Sequence, residues 1–498
     1  MTKLITDEHE RCCPTVRITK AVLDDFKSVK HGELEFDCGK HFVPYGTKSD
    51  ILGIYGQNGS GKTSFIEALY ILKGIFMGKR VPNAYSECVA KTAKCARMEF
   101  TLDLQYPDGK IRKAVYACSL SQEEIKESEI KYPEGVDPED VDMEKSRVKI
   151  FNESLSIGGD IAGKKTRLQT IVDTGTGNPF GPASKLKQLV GDDQENIVSL
   201  EVNKRLASER SCSFIFMRET LKIFKKICPD SPYVEVLDAL RDYAWLYLYV
   251  IDTKSAGLIR LNLGMPFYTR EGMIHLNSYK PSAFPDSMLQ NLRNAFSDVD
   301  TVMQQLVPGL AIQMKELSET TLKDGRKGHF IDVVSVRDGV ELPLRDESDG
   351  VRKIISEICL IVAAYNDPSV TVAIDEFDAG IFEYLLGEIL QIIEESGKGQ
   401  FIFTSHNLRP LEVINKRFLY FTTTNPDNRY IHLKNIGKTN NLRNTYFREI
   451  ILGEQDEEIY KATQKFKIVE ALDKVGMEEE KRHHHSDKRE STGREVRN

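Results

Sequence analysis

The chain has 498 residues, 40% of them hydrophobic and 29% charged, with a formal net charge of −7. That length accommodates two or three domains with a large buried core, and the acidic balance excludes a generally basic nucleic-acid coat while leaving a local basic groove open. No apolar run approaches the ~18 residues of a membrane span, Met1–Pro14 lacks an apolar signal core, and the nine cysteines contain no CxxC pair, so a reduced, soluble, cytoplasmic protein away from membranes is expected.

In chain order, Val16 to Leu23 alternates, and Asp25-Phe26-Lys27-Ser28-Val29 leads into Gly32 to Phe36, predicting two strands around a short turn. Ile51 to Tyr55 reads as a buried strand and Ser64 to Lys73 as a helix with Phe65, Ile66, Leu69 and Leu72 on one face. Arg97 to Tyr106 and Ile111 to Leu120 predict a hairpin about Pro107-Asp108-Gly109. Tyr132 to Glu144 is acidic and predicts an exposed connection, and Val148 to Ile157 a further strand. From Ser184 to Leu246 the spacing turns helical, ending in the apolar run Leu246 to Ile251. Met288 to Leu306 is another helix stopped by Pro308-Gly309, and Ile312 to Leu317 and Phe330 to Val336 return to strands. The tail from Met477 to Asn498, with His483-His484-His485, is charged and reads as disordered.

Chemistry concentrates between the strand at Ile51 and the helix at Ser64. Gly56, Gln57, Asn58, Gly59, Ser60, Gly61, Lys62 and Thr63 form a full phosphate-loop pattern, with Ser64 continuing the cradle. Glycines let successive N–H groups face one anion, and the helix N-terminus adds its positive end. Lys62 would reach the β- and γ-phosphates of a bound ATP, and the Thr63 hydroxyl would hold Mg²⁺. Val370 to Ile374 reads as a central parallel strand ending on Asp375-Glu376, where Asp375 would orient the metal and Glu376 polarise the attacking water. A second buried strand, Gln400 to Thr404, ends near His406, placed to contact the γ-phosphate. Ser348-Asp349-Gly350 opens a helix about two dozen residues before Asp375 and offers a hydroxyl and an amide to an anion.

The order Gly56–Thr63, Ser348–Gly350, Asp375-Glu376, His406 resembles the ABC-type ATPase head, with its Walker A, signature, Walker B and switch histidine. Asp25-Phe26-Lys27-Ser28 between two strands is similar to the SMC, RecF and OLD branch. The resemblance covers residues 14–120 and 310–435. It implies an α/β fold, a mixed sheet with flanking helices, and ATP sandwiched between two heads, Ser348 and Gly350 acting on a second copy. No glutamine lies between Asn58 and Leu104, so the usual Q-loop ligand has no counterpart in that stretch. About 285 residues separate Walker A from Ser348, implying an inserted, mainly helical domain.

The expected division is residues 14–157 and 309–435 for the two parts of the head, 158–308 for the insert, 436–476 for a helical extension and 477–498 for the tail. Within its branch the chain resembles stand-alone ATPases of bacterial anti-phage defence systems of the PARIS, Septu and AbiL kinds. That resemblance implies a slow regulatory ATPase that forms dimers or larger assemblies and controls a separately encoded effector, a nuclease or toxin. The alternative is a DNA-repair ATPase binding duplex directly through Lys222, Lys225 and Lys226 or Lys91 and Lys94, clusters that also read as solvated faces. Phe447, Ile450, Ile451 and Leu452 offer either a docking face or packing on the chain's own core.

Overall fold

The computed structural model describes residues 14–36, 50–125, 146–252, 265–269, 272–276, 280–322, 324–434, 442–453, 455–462 and 464–474. The acidic connection expected over 132–144, Cys12-Cys13 and the tail with its histidines lie outside the described residues. Two sheets organise the head.

The chain begins with β1 (Thr15–Phe26) and β2 (Val29–Glu35), a hairpin whose tight turn holds Asp25 and Lys27 at positive φ. Then come β3 (Asp50–Tyr55) and α1 (Lys62–Phe76), the strand and helix that bracket the phosphate loop. β4 (Ala96–Gln105), β5 (Ile111–Glu124), β6 (Ser146–Ile161) and β7 (Lys164–Asp173) complete an antiparallel sheet of order β2-β1-β4-β5-β6-β7. Its inner face follows the period-two rule: Met98, Phe100, Leu102 and Leu104 of β4 are fully buried while the residues between them are half-exposed or exposed.

Four helices follow: α2 (Ala183–Val190), α3 (Gln194–Glu209), α4 (Arg218–Ile227) and α5 (Pro232–Asp242). Asp193 and Ser231 cap α3 and α5 by accepting backbone N–H bonds. The helical spacing read from 184 to 246 is therefore present, but the segment does not stand apart from the head. The expected boundary at 158 falls inside β6, and Leu200, Leu221, Phe224 and Leu237 share one core cluster with Phe65, Leu69 and Leu72 of α1. The apolar run after α5 becomes β8 (Leu248–Ile251), a parallel strand paired with the later β15 (Thr371–Ile374). Strand pairing across more than a hundred residues leaves no local trace, which is why that run was readable only as apolar.

Beyond it lie β9 (Met265–Thr269), β10 (Gly272–Leu276) and β11 (Ser282–Pro285), so this part of the segment expected to be helical is extended. α6 (Asp286–Leu306) packs on β12 (Ala311–Thr321) and β13 (Lys327–Arg337), with Leu292, Phe296, Ile331 and Val333 forming their core, and β14 (Val340–Pro343) pairs with β13. α7 (Asp349–Asn366), capped by the Ser348 hydroxyl, joins this core through Ile355 and Ile358. It reaches the central sheet through Leu360 and Ala363.

α8 (Glu383–Ser396), β16 (Gln400–Thr404), β17 (Leu419–Thr422) and β18 (Tyr430–Ile431) finish the head. The central sheet runs β18-β17-β3-β16-β15-β8, parallel except for β18. Leu52 and Ile54 face α1 and the antiparallel sheet, whereas Ile51 and Tyr55 face α7 and α8, so β3 is buried on both sides. α9 (Leu442–Leu452) follows. The rest of the extension expected to be helical over 436–476 is, among the described residues, helical again only over 465–474; residues 455–462 are drawn back onto the head, where Ile459 is buried.

Candidate nucleotide site

The site forms where β3 gives way to α1. Gly56, Gly59 and Gly61 all have positive φ, and Gly61 is the N-cap of α1. At Gly56 the requirement is steric as well, since an added Cβ would lie 1.7 Å from Thr422 Oγ1 at the end of β17. Ser60 Oγ donates to Gln57 O at 2.5 Å and also lies 2.5 Å from Thr422 Oγ1, while Tyr430 OH donates to Gly61 O at 2.7 Å. β17 and β18 thus brace the loop from behind.

Lys62 Nζ donates to Gly56 O at 2.9 Å and to Gln57 O at 3.1 Å, so the ammonium lies back over its own loop. Burial lowers its pKa, an effect offset by the carboxylates of Asp375, Glu376 and Asp378. In front of the loop is a cavity of about 860 Å³ lined by Gly59, Gly61, Lys62, Thr63 and Ser64 on one side. Lys27 and Ser28 line it from the β1–β2 turn, and Lys91 and Lys94 from the opposite wall. That wall is anchored by Tyr85, whose hydroxyl donates to Asp252 just past β8 and whose ring stacks on Tyr70 at 4.7 Å. Lys62, Lys91 and Lys94 beside glycine-rich backbone suit a polyphosphate, while Lys27 is paired with the buried Glu67 and Glu87 also lines the cavity.

Lys91 and Lys94, weighed from sequence as a duplex groove or a solvated face, therefore belong to this cavity. So does Gln122, which sequence reasoning passed over by looking only as far as Leu104. The signal was present: Gln122, itself exposed, keeps the alternation phase of Ala114, Tyr116, Cys118 and Leu120 along β5. Its amide donates to Ser146 Oγ at 3.0 Å, and its oxygen is of the type a hard cation takes.

Asp375 and Glu376 end β15 as expected. Thr404 Oγ1, at the end of the neighbouring β16, donates to Asp375 Oδ1 at 2.6 Å and accepts from Glu376 N at 2.8 Å. One hydroxyl thereby sets both acidic residues. Glu376 has φ of +50°, an uncommon backbone for a non-glycine residue, and its side chain is exposed. Asp378 Oδ2 accepts from His406 N at 3.2 Å and Asn407 N at 3.0 Å, holding the histidine beside the acidic pair. Burial and then the Lys62 charge lower the His406 pKa from 6.5, against the pull of Asp378, Glu376 and Asp375. Thr63 and Asp375 offer one hydroxyl and one carboxylate, a set suited to Mg²⁺ that keeps phosphate and water ligands.

Ser348 and Gly350, like Asp375, Glu376 and His406, are not among the residues lining the cavity. Ser348 Oγ accepts from Val351 N at 3.3 Å, and a Cβ on Gly380 would sit 3.5 Å from Gly350 Cα. The start of α7 therefore lies against the turn that follows Glu376. A further link runs through Lys353, whose Nζ donates to Glu376 O and Ala379 O, both at 2.8 Å. Lys353→Ala removes the brace on the strained Glu376 turn; ATP hydrolysis is expected to slow about tenfold with nucleotide affinity retained, measured as separate turnover and binding constants.

Glu357, one helical turn on from Lys353, is fully buried, and burial pushes its carboxyl up to about 8 from 4.5. The unfolded chain ionises this group above the ordinary glutamate value while the folded chain keeps it protonated. Its stabilising share is thus complete below about 4.5 and lost as pH rises through about 8. Glu357→Gln is expected to melt about 2 °C or more above the wild type at pH 8.5, with the gain gone at pH 4.

Comparison with known proteins adds to this geometry. Residues 275–412 match a family described as "AAA domain, putative AbiEii toxin, Type IV TA system", and residues 20–209 match a family described as "AAA domain". No curated protein matches the chain. Among solved structures, an SMC head bound to the C-winged helix domain of ScpA aligns with a TM-score of 0.41 and 13% identity, over 84% of this chain and 97% of that one. The SMC head domain from Thermotoga maritima gives 0.33 and 14%, over 84% and 100%. RecF with ATPrS gives 0.32 and 12%, over 80% and 94%. The two AAA-domain matches, with the phosphate loop set between β3 and α1 and Asp375-Glu376 closing β15, support an ATPase of α/β architecture.

Proposed function

We propose that the protein is a slow, ATP-gated regulatory ATPase in which two heads close over ATP to control a separately encoded effector. The observation that carries this reading is the position of Ser348–Gly350: Ser348 is exposed at the N-terminus of α7, and Gly350 lies on the turn after Glu376. A helix N-terminus so placed is open to a phosphate on a second copy. Lys27, Lys62, Lys91 and Lys94 hold the triphosphate, Thr63, Asp375 and Gln122 would hold Mg²⁺, and Glu376 takes the proton from the attacking water. Mg²⁺ held there would supply charge neutralisation to the phosphates. His406 contacts the γ-phosphate and keeps Glu376 aligned.

The toxin description of the family matched over 275–412 supports a place in anti-phage defence. Direct duplex binding is less favoured, because Lys91 and Lys94 line the cavity and Lys225 is paired with Asp238 at 2.8 Å. Among the described residues no helix is long and apolar enough to cross a membrane. Light scattering with and without ATP, on protein co-expressed with its genomic neighbour, tests the reading. A complex that grows with ATP and carries the neighbour supports it; an unchanged monomer, or a species that gains only duplex DNA, overturns it.

A further inference from the structure

The turn between β17 and β18 meets the turn between β1 and β2 behind the phosphate loop. Arg429 N donates to His31 O at 3.1 Å, and Lys30 N and His31 N donate to Pro426 O at 3.0 and 2.8 Å. Between the two turns runs the Arg429 side chain, only 7% exposed. Its guanidinium donates through Nη1 to Thr423 O at 2.6 Å and through Nη2 to Ser28 O. Its stem passes so near the phosphate loop that a Cβ added to Gly61 would lie 3.5 Å from both Cγ and Cδ of Arg429. The next residue, Tyr430, donates to Gly61 O. Arg429 thus backs onto Ser28 and Gly61, both of which line the cavity.

The charge on this side chain is unusual for its depth. The lysines of the two turns are paired with carboxylates, Lys27 with the buried Glu67 and Lys30 with Asp427 at 2.7 Å. Glu457 and Glu458 reach the β17–β18 turn but accept from Asn425, Asn428 and Thr424. Among the described residues no carboxylate comes within ion-pair distance of Arg429, and its Nε has no acceptor. A guanidinium taken out of water is costly, and two neutral carbonyls offset part of that cost without cancelling the charge. What remains is a fixed positive potential, little screened by salt, behind the backbone that the glycines open to an anion. We propose that Arg429 is a positioning residue of the nucleotide site, whose buried charge attracts the phosphates from behind Gly61 while its bond to Ser28 O seats that residue on the cavity wall. The attraction of a fixed charge is proportional to the charge of the ligand, so losing it should weaken a triphosphate more than a diphosphate.

The proposal rests on the cavity being the ATP site, and the test separates the two. Full-length Arg429→Gln, which keeps a donor and loses the charge, and Arg429→Lys, which keeps the charge, would be compared with the wild type. Calorimetry would give affinities for ATPγS and ADP with Mg²⁺, and melting curves would confirm folding. Arg429→Gln is expected to bind ATPγS about tenfold more weakly and ADP only about threefold more weakly, the difference being one ligand charge. Arg429→Lys should stay within about threefold of the wild type for both. Turnover of Arg429→Gln at saturating ATP should change less than its affinity, because Asp375 and Glu376 are untouched. A folded Arg429→Gln that binds ATPγS as well as the wild type overturns the proposal. So does an equal loss for the two nucleotides, or a folded Arg429→Lys that loses as much as Arg429→Gln, since either reduces Arg429 to a pin between two turns. Should Arg429→Gln fail to fold, Arg429→Lys decides alone: retained affinity supports the charge, and a loss of about tenfold overturns it. A wild type that binds no nucleotide removes the ATP reading itself, which no result on the variants can do.

Discussion

Glu376→Gln is expected to slow ATP turnover by about 10²- to 10⁴-fold while ATP stays bound, because the amide cannot accept the proton of the attacking water. The substitution preserves shape, and the features that position residue 376 belong to the backbone. Its amide bonds Thr404 Oγ1, its carbonyl accepts from Lys353, and its φ of +50° is set by the turn into Phe377. The lysines that line the cavity are not altered. The variant should therefore accumulate in the ATP-bound, closed form, seen as retained nucleotide after gel filtration beside a wild type that has converted it to ADP. Turnover at the wild-type rate would remove Glu376 from the chemistry. The rate of the wild type adds a check on its neighbour. His406, with its pKa held below 6.5, is neutral at physiological pH, and activity should fall only as acid protonates it below that value.

Gly56→Ala should be nearly as damaging for a different reason. The new methyl would meet Thr422 Oγ1 at 1.7 Å and Thr422 Cβ at 3.0 Å, on a backbone with φ of +150°. Thr422 has no slack, since its hydroxyl is bonded to Tyr55 O at 3.2 Å and to Ser60 Oγ. Either the loop lifts off β17 or β17 moves, and the combined overpacking and backbone strain cost about 2–4 kcal/mol. Nucleotide binding and several degrees of melting temperature should be lost together. Adding Thr422→Gly clears the space without relieving the dihedral, so partial recovery is expected. Gly59→Ala provides the contrast: no atom lies within 4 Å of its added Cβ, and only the positive φ opposes it, at about 1–2 kcal/mol. Equal effects at the two glycines would contradict the steric account.

What was legible in the sequence was what is local. The phosphate loop carries its own geometry in three glycines, and the Asp375-Glu376 pair sits at the end of a β-branched run that can only be a central strand. The β4–β5 hairpin announces itself by alternation about Asp108-Gly109. Illegible features depend on partners far along the chain. Leu248–Ile251 is apolar in any fold, and only its pairing with β15 makes it part of the ATPase sheet. Residues 455–462 would pass as helix until Glu457 and Glu458 find Thr424, Asn425 and Asn428. Lys91, Lys94 and Gln122 became cavity residues because the antiparallel sheet folds over α1, which no spacing within their own segments encodes.

The central sheet also says something about how the molecule is made. β3 lies between β16 and β17, and its pairing partners are synthesised some 350 positions later. At ribosomal speeds of about 5–20 residues per second, the phosphate-loop strand waits roughly 20–70 s with both edges open. Meanwhile β1, β2 and β4 to β7 are complete by Asp173, and α2 to α5 by Asp242, so they can close around α1 first. A nascent or truncated chain lacking β16 and β17 has its glycine-rich loop but no bed to hold it in shape. Such fragments would hold nucleotide poorly and expose two unpaired strand edges, marking them for aggregation or proteolysis rather than for competition with the finished enzyme.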